Sequence, residues 1–230
     1  MLILASNSPR RRQLLNYLGI PFEVIVADID ETLHLAEKAD VYTQRLAREK
    51  ALSVAALRPP EDTILAADTT VAVRSVKDDS WTILGKPQNE AEAEWMLGLL
   101  RGGTHQVFTA VALIQGNLPI QEDWHARDPL QQPITELCVT QVTMRSYGPS
   151  EIKDYIATGD PLDKAGAYAI QHTGFHPVER LDGCATSVVG LPLCLVAQML
   201  RTKGIDPPVQ LPPLCRPGSP SNCSLFDKVF

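Results

Sequence analysis

The sequence predicts an α/β fold, in which strands and helices alternate along the chain. Three observations predict it: short apolar runs are followed by segments with helical spacing, capping residues stand where the two meet, and two long β-type runs occupy the middle of the chain. With 230 residues, of which 44% are hydrophobic, the chain can bury a large core without disulfides. The ordinary composition excludes a disordered protein, a collagen and a coiled coil.

The first half of the chain begins with a strand and a capped helix. The run Leu2 to Ala5 is short and apolar, as is typical of a buried strand. Ser8 is a good N-cap residue and Pro9 suits the first helical position, so a helix follows and ends at Gly19. Further strands are predicted at 22–27 and 63–67, and further helices at 40–57 and 89–100.

The second half is predicted to be rich in strands. A polar segment with three prolines, 117–133, predicts a loop or an inserted excursion. The dipeptide Asp182-Gly183 is typical of a hairpin turn between two strands. The predicted strands are 107–114, 137–144, 168–171, 175–181 and 185–189, and the predicted helices are 149–159 and 192–203.

The C-terminal end of the chain differs in composition from the rest. Six of the 18 prolines lie after Gly204, and no helical or strand periodicity accompanies them. Such a segment is expected to be extended or disordered. We therefore predict one domain over residues 1–204 and a proline-rich tail over residues 205–230.

The charge balance argues against several classes of partner. With 21 Lys and Arg against 27 Asp and Glu, the net charge is −6, so no global basic field attracts a nucleic acid polymer or a membrane surface. The longest apolar stretch, 188–200, is interrupted by polar and helix-breaking residues and is too short to span a bilayer. No secretory signal is evident, so we expect a cytoplasmic protein whose five cysteines are buried thiols.

Three consecutive arginines, Arg10 to Arg12, occupy the opening turns of the first helix. A helix N-terminus already carries partial positive charge, so each cation there is unfavourable by about 0.3–1 kcal/mol. Small polar residues precede the arginines, including Ser6, and free backbone N–H groups point the same way. This pattern indicates a phosphate-binding site, although a solvated basic face is the alternative.

Lys50 breaks the pattern of the long helix at 40–57. On a helical wheel it lies in the middle of the arc formed by Leu46, Ala47 and Val54, which faces the core. The neighbouring charged residues project elsewhere. A lone lysine on such an arc either extends its ammonium group to solvent or pairs with a negative group.

Three further charged residues stand in loops or directly after apolar runs. Asp68 follows a strand that is apolar enough to be central, Lys86 lies in a tight turn, and Lys164 lies in a glycine-flanked loop with Asp163. Ligands of open α/β sheets bind where the strands end. Lysines, arginines and a few carboxylates together suit a nucleotide phosphate with a divalent metal. The sequence has no P-loop, no dinucleotide-binding glycine motif and no zinc-type histidine spacing.

Six segments resemble, in order, the motifs of the Maf family of nucleoside triphosphate pyrophosphatases. They cover residues 2 to about 203, and the first and the fifth are the most specific. The segments are Leu4-Ala5-Ser6-Asn7-Ser8-Pro9-Arg10-Arg11, Arg45-Leu46-Ala47-Arg48-Glu49-Lys50-Ala51, Ala67-Asp68-Thr69, Leu84-Gly85-Lys86-Pro87, Asp163-Lys164-Ala165-Gly166-Ala167-Tyr168-Ala169-Ile170-Gln171 and Val189-Gly190-Leu191-Pro192.

The resemblance implies an activity and a more detailed fold. It implies hydrolysis of a nucleoside triphosphate to the monophosphate and diphosphate, with Mg²⁺ or a similar ion such as Mn²⁺ or Co²⁺. It also implies an elongated mixed central sheet with two lobes around a cleft, as in inosine-triphosphate pyrophosphatases, and it suggests a homodimer. The implied residue roles are Asp68 as the catalytic carboxylate and a metal ligand, Glu31 as the second metal ligand, Ser6, Arg11, Lys50, Lys86 and Lys164 as phosphate ligands, and Arg10, Thr69 and Gln171 as determinants of substrate choice.

The last three residues resemble those of the subfamily that acts on dTTP and UTP. Gln171 can donate and accept hydrogen bonds at once, which suits a pyrimidine that presents O4 and N3–H. The subfamily for 7-methyl-GTP has Trp, Gln and Glu at these positions. Hydrolysis of 7-methyl-GTP or of another nucleotide is therefore the alternative. A regulator of cell division that binds nucleotides without turnover is the alternative from another class. His172 stands where glycine is usual and bears on substrate choice.

Overall fold

A computed structural model describes residues 1–75, 80–116, 132–208, 210, 212 and 215 of the chain. Its described strands all belong to a single seven-stranded sheet, and α-helices cover both faces. The strands are β1 (Leu2–Leu4), β2 (Phe22–Val24), β3 (Thr63–Arg74), β4 (Trp81–Leu84), β5 (Thr104–Gln115), β6 (Ile134–Met144) and β7 (Val178–Asp182). The helices are α1 (Pro9–Asn16), α2 (Ala39–Ala55), α3 (Glu90–Leu100), α4 (Pro149–Ile156), α5 (Ala185–Val189) and α6 (Leu193–Arg201).

The sheet is mixed, as the resemblance implied. Its order is β2-β1-β3-β5-β6-β7, and β4 pairs with β3 outside this path. β1 is parallel to β2 and β3, whereas the other pairs are antiparallel. β3 and β5 have twelve residues each and so extend about 40 Å, which makes the sheet elongated.

The alternation of side chains along β3 separates two cores. Ile64 and Ala66 face α2, together with Ile3 of β1. Leu65 and Ala67 face the opposite side, where α1 and α6 pack. Because the period of a strand is two residues, Asp68 continues the row that faces α2, and Thr69 continues the other row. A third core joins α3 and α4 to the far half of the sheet.

α2 lies close to the sheet because small residues line its buried face. Ala47, Ala51 and Ala55 recur every four residues and are fully buried. They pack on the row of β3 that leads to Asp68. Lys50 lies on this side of the helix and is only 8% exposed, so the predicted burial of this lysine is confirmed.

One edge of β3 is interrupted, and the interruption creates a cleft. β1 pairs with Thr63–Leu65, and β4 pairs with Val71–Arg74 on the same edge. Between them, residues 66–70 pair only with β5 within the described chain. Asp68 and Thr69 therefore lie in the middle of a long strand at a gap in the sheet, and the expectation that Asp68 stands at a strand end is wrong.

Two other predictions of local structure are wrong. Residues 168–171 form no strand, and Ala185–Val189 is the helix α5, so Asp182-Gly183 is not a hairpin turn. The β-branched sequence of α5 favours a strand, but tertiary contacts override this propensity. Thr186 is fully buried there, and its hydroxyl accepts a hydrogen bond from the Leu193 backbone N–H.

The remaining elements agree with the sequence within a few residues. Ser8 caps α1 and Asn89 caps α3, as predicted, whereas α2 begins at Ala39, one residue before Asp40. β4 was not predicted. Most of the 117–133 excursion and most of the tail lie outside the described residues. Among the described residues, no helix has the length and apolar character needed to cross a membrane.

Candidate active site

The gap in the sheet opens into a cleft of about 380 Å³. Nine of the ten predicted site residues line it, and Ser6 lines an adjoining hollow of about 280 Å³. The nine are Arg10, Arg11, Glu31, Lys50, Asp68, Thr69, Lys86, Lys164 and Gln171. Residues from six separate segments thus meet in one place, while the role of each residue stays a prediction.

Lys50 joins two carboxylates at one end of the cleft. Its Nζ donates to Asp68 Oδ1 at 2.7 Å and lies 2.6 Å from Glu31 Oε1. The Asp68 side chain is 9% exposed and that of Glu31 is 56% exposed, so the cluster extends from the sheet to solvent. Of the two alternatives for the buried lysine, pairing with negative groups is the one observed. In the described part of the chain, the second oxygen of each carboxylate accepts no hydrogen bond.

Arg11 lies in the cleft with neutral partners. Its guanidinium donates to Gly190 O at 2.9 Å, Thr69 Oγ1 at 3.2 Å and Ser6 Oγ at 3.4 Å. No carboxylate of the described residues lies within ion-pair distance. Burial lowers the pKa of Arg11 below its usual value, although the negative charge of Asp68 opposes the shift. A partly buried cation without a counter-ion nearby favours binding of an anion beside it.

Thr69 and Gly190 shape the wall beside Arg11. Thr109 of β5 is the cross-strand partner of Thr69, and their hydroxyl oxygens are 3.1 Å apart. Thr109 also donates to the Ser187 carbonyl at 2.8 Å. Gly190 has a φ of +125°, and a Cβ there would lie 3.5 Å from Arg11 Nε. The backbone geometry of Gly190 thus presents its carbonyl to the arginine.

A second group of charges lies across the cleft and centres on Asp163. Its carboxylate accepts from Arg10 Nη1 at 2.7 Å through one oxygen and from Lys164 Nζ at 2.6 Å through the other. Lys164 Nζ also donates to Asp160 Oδ1 at 2.9 Å. Arg10 and Lys164 therefore have acidic partners, in contrast to Arg11.

Lys86 and Gln171 complete the lining. Lys86 is exposed, follows β4 in a turn, and has no hydrogen-bond or ion-pair partner among the described residues. The Gly166 N–H donates to the Gly85 carbonyl at 3.0 Å, which ties the turn of Lys86 to the loop of Lys164. Gln171 is exposed and borders both the cleft and a second hollow beside α1.

The electrostatics around Lys50 keep Glu31 ionised. Burial raises the pKa of the Glu31 carboxyl, but the hydrogen bond and positive charge of Lys50 outweigh it, so the pKa lies below its usual value. Burial, together with the charges of Asp68 and Glu31, raises the pKa of Tyr42 to about 12. The Tyr42 hydroxyl therefore stays protonated at neutral pH.

The sequence interpretation missed three residues of the site. Tyr42 lines the cleft, Thr109 contacts Thr69, and Asp163 neutralises two cations. Asp163 belongs to one of the motif segments, but the sequence interpretation assigned its carboxylate no role. No sequence feature pointed to Thr109, because only the register of β3 against β5 places it opposite Thr69.

The carboxylates of the cleft suit a magnesium ion that is held partly by the substrate, rather than one held by protein side chains alone. Among the residues with described positions, no group of three or more His, Cys, Asp or Glu side chains converges as a metal site. Asp68 and Glu31 supply two hard oxygen donors on one side of the cleft. Mg²⁺ is commonly held by one or two carboxylates, waters and phosphate oxygens of the substrate. The donor set therefore fits an ion that arrives with a nucleotide.

The comparisons with known proteins cover almost the whole chain. The family model described as Maf-like protein matches residues 1–203. A dTTP/UTP pyrophosphatase of Myxococcus xanthus is 44% identical over 208 residues, which are 90% of this chain and 95% of the relative. A dTTP/UTP pyrophosphatase of Yersinia pestis is 42% identical over 199 residues, which are 86% of this chain and 91% of the relative.

A similar solved structure is a dITP/XTP pyrophosphatase from Mycobacterium abscessus. It is 13% identical, has a TM-score of 0.37, and the match covers 88% of this chain and 96% of that chain. At this level of similarity the comparison adds nothing to the fold described above.

Proposed function

The chain belongs to the Maf-like protein family, and from this premise we propose that it is a nucleoside triphosphate pyrophosphatase that hydrolyses dTTP and UTP. The relatives with 42–44% identity that are named dTTP/UTP pyrophosphatase support the reaction and the substrates. The observation that carries the proposal is the cleft itself. It combines a buried Lys50 between two carboxylates with a half-buried Arg11 that has no acidic partner among the described residues.

In the proposed reaction, water attacks the α-phosphorus of the nucleotide. The bond between the α-phosphorus and the oxygen that bridges it to the β-phosphorus breaks, and diphosphate leaves. The Asp68 carboxylate accepts the proton of the attacking water. Lys50 holds Asp68 in position through its 2.7 Å hydrogen bond. Positioning and electrostatics supply most of the catalysis in phosphoryl transfer, so a rigidly held carboxylate suits this role.

The cations of the cleft would bind the triphosphate. Arg11 and Lys86 have no acidic partner in the described chain and can contact phosphate oxygens without breaking an ion pair. Lys164 must exchange its contacts with Asp160 and Asp163 for contacts with phosphate. Ser6 donates no hydrogen bond in the described contacts, so its hydroxyl is available to phosphate.

Three further residues at the cleft would contact the base. Arg10, Thr69 and Gln171 border it, and Gln171 can pair with both O4 and N3–H of a pyrimidine. Among the lining residues no tryptophan is present on which a cationic purine could stack. Arg10, Thr69 and Gln171 stand where the subfamily for 7-methyl-GTP has Trp, Gln and Glu, so dTTP and UTP are the proposed substrates.

We also propose a divalent metal, Mg²⁺ or alternatively Mn²⁺ or Co²⁺, held by Glu31 and Asp68 with the phosphates. When bound, it would neutralise charge that develops on the phosphate oxygens. Lys50 contacts one oxygen of each of these carboxylates and so holds both at the same end of the cleft. We further propose that residues 1–204 form the catalytic domain. We also propose that the protein is a homodimer in solution, which analytical sedimentation can test.

The test of the function is a substrate panel with a matched pair of variants. The purified full chain is incubated with Mg²⁺ and dTTP, UTP, dCTP, ATP or 7-methyl-GTP, and diphosphate and monophosphate are measured. We expect diphosphate from dTTP and UTP. Asp68→Asn should lower kcat at least about 100-fold, because it removes the proton acceptor. Asp154→Asn, at an exposed position of α4, should leave kcat unchanged.

Three outcomes would overturn the proposal. Preferred turnover of 7-methyl-GTP would assign the other subfamily. Tight binding of dTTP with the triphosphate recovered intact would indicate a nucleotide-binding regulator. Equal activity of the Asp68→Asn and Asp154→Asn variants would show that the cleft is not the site of the reaction.

A further inference from the structure

We infer that Arg45 is a positioning residue that holds the Glu31 side chain at the active site, by clamping the loop 28–38 onto α2. This inference rests on the proposed function, because it concerns how one of the proposed metal ligands is held. The loop joins β2 to α2 and contains no regular secondary structure beyond a turn. Glu31 lies in its first half and contacts Lys50 at one end of the cleft.

The loop has one half-buried apolar residue, Ile29, and otherwise lacks apolar anchors. Val26 before it is 57% exposed, and Leu33 and Leu35 within it are 45% and 102% exposed. Ala36 has a φ of +58°, a strained region for a residue with a Cβ. Hydrophobic burial therefore contributes little between residues 30 and 38, and polar contacts hold this part of the loop.

Arg45 supplies most of these contacts. Its Nε and Nη2 donate to the two carboxylate oxygens of Glu37 at 2.8 and 2.9 Å, a bidentate pair. Nη2 also donates to the Thr32 carbonyl at 3.0 Å, and Nη1 pairs with Glu49 at 3.2 Å. The Arg45 and Glu37 side chains are 11% and 6% exposed. Unlike exposed pairs, this ion pair is shielded from solvent and can hold the chain in one conformation.

Tyr42, one turn earlier on α2, holds the loop at the adjacent peptide. Its hydroxyl donates to the Glu31 carbonyl at 2.8 Å, and the Arg45 guanidinium lies 5.4 Å from its ring centroid. Residues 42 and 45 are neighbours on one helix surface. Together they fasten the carbonyls of residues 31 and 32, so that the Glu31 carboxylate points to Lys50.

The first experiment measures the loop without any substrate. Hydrogen–deuterium exchange of the full chain, free of nucleotide and metal, is compared for wild type, Arg45→Lys and Arg145→Lys. Lysine keeps the charge but cannot make the bidentate pair and the Thr32 contact together. Arg145 is the matched control, because it also binds an acid and two main-chain carbonyls, but outside the cleft.

We expect faster exchange in peptides covering 28–38 for Arg45→Lys and unchanged exchange there for Arg145→Lys. Equal exchange of the loop in wild type and Arg45→Lys would overturn the inference, whether or not the protein hydrolyses dTTP. Faster exchange throughout α2 as well would also overturn it, since the arginine would then serve the helix rather than the loop. Failure of the proposed function would leave the exchange result unaffected, so the two failures are distinguishable.

The second experiment asks whether Arg45 acts through Glu31. Substitution of residues that orient metal ligands commonly costs about 10–100-fold in metal affinity or activity. In the wild-type background, Arg45→Lys should therefore raise the Mg²⁺ concentration for half-maximal dTTP hydrolysis at least about tenfold. In a Glu31→Gln background, the same substitution should change nothing further. Equal losses in both backgrounds would assign Arg45 a general structural role and contradict the inference.

Discussion

Replacing Lys50 by methionine tests the ion cluster at the centre of the cleft. Methionine has a similar length and removes the charge, so the Asp68 and Glu31 carboxylates would face each other without a cation between them. Removal of one partner from a buried ion pair costs about 3–5 kcal/mol. Glu31 is 56% exposed and therefore screened, so we expect a loss of about 3 kcal/mol, at the lower end of that range.

The loss should appear as a lower melting temperature that depends on pH and on Mg²⁺. For a chain of this size, about 3 kcal/mol corresponds to about 6–12 °C. Lys50 depresses the pKa of Glu31 in the folded protein, and this stabilisation is present above the unfolded pKa and is lost as pH falls through the folded pKa. The deficit of the variant is therefore full at pH 7 and shrinks below about pH 4.

The assay is thermal unfolding of both proteins with and without 10 mM Mg²⁺. Because no ammonium group competes for the two carboxylates in the variant, Mg²⁺ should raise its melting temperature more than that of the wild type. Lys153→Met, at an exposed position of α4, is the control and should melt with the wild type. A Lys50→Met protein that also melts with the wild type, and gains nothing from Mg²⁺, would refute the reasoning.

Three further predictions concern residues around the cleft. Burial lowers the pKa of His105 to about 4, so stability should fall by up to about 3 kcal/mol as pH drops from 6.5 to 4. An NMR titration of its imidazole near 6.5 would contradict this. Asp163→Asn removes the acidic partner of Arg10 and leaves Lys164 paired with Asp160 alone, so it should tighten inhibition by diphosphate by at most about fivefold. An unchanged inhibition constant would show that the pairs with Asp163 do not oppose anion binding. Thr109→Val leaves the buried Ser187 carbonyl without its donor, so the free energy of unfolding in urea should fall by about 1–3 kcal/mol. The loss of the contact with Thr69 should also raise KM for dTTP. A raised KM for every nucleotide tested would argue against a role through Thr69.

Helix phase was readable from the sequence, because it depends on residues close together in the chain. The wheel of α2 identified Lys50 as a charge on a buried face, and the structure shows it buried there. It could not identify the partner, since Asp68 and Glu31 lie on other segments. The sequence left open whether the lysine extends to solvent or pairs with a negative group. The packing of α2 on β3 decides for pairing.

Asp68 lines the cleft, but not for the reason that the sequence suggested. It was selected as a carboxylate at a strand end, yet β3 continues to Arg74. The residue lines the cleft because β1 and β4 pair with separate parts of one edge of β3 and leave a gap between them. Strand pairing of this kind is a long-range property, so the local run of apolar residues gave no indication of it.

The sequence by itself determined the alternation of strands and helices, the capped first helix with its arginines, and the residues that resemble a family motif, because each depends on neighbours in the chain. Only the tertiary structure decided which charges meet. It left Arg11 without a counter-ion in the part of the chain that the structure describes, paired Arg10 with Asp163, and set Thr109 against Thr69. These contacts depend on strand register and on how loops fold back on helices, and the interactions that select them act between residues far apart in the sequence.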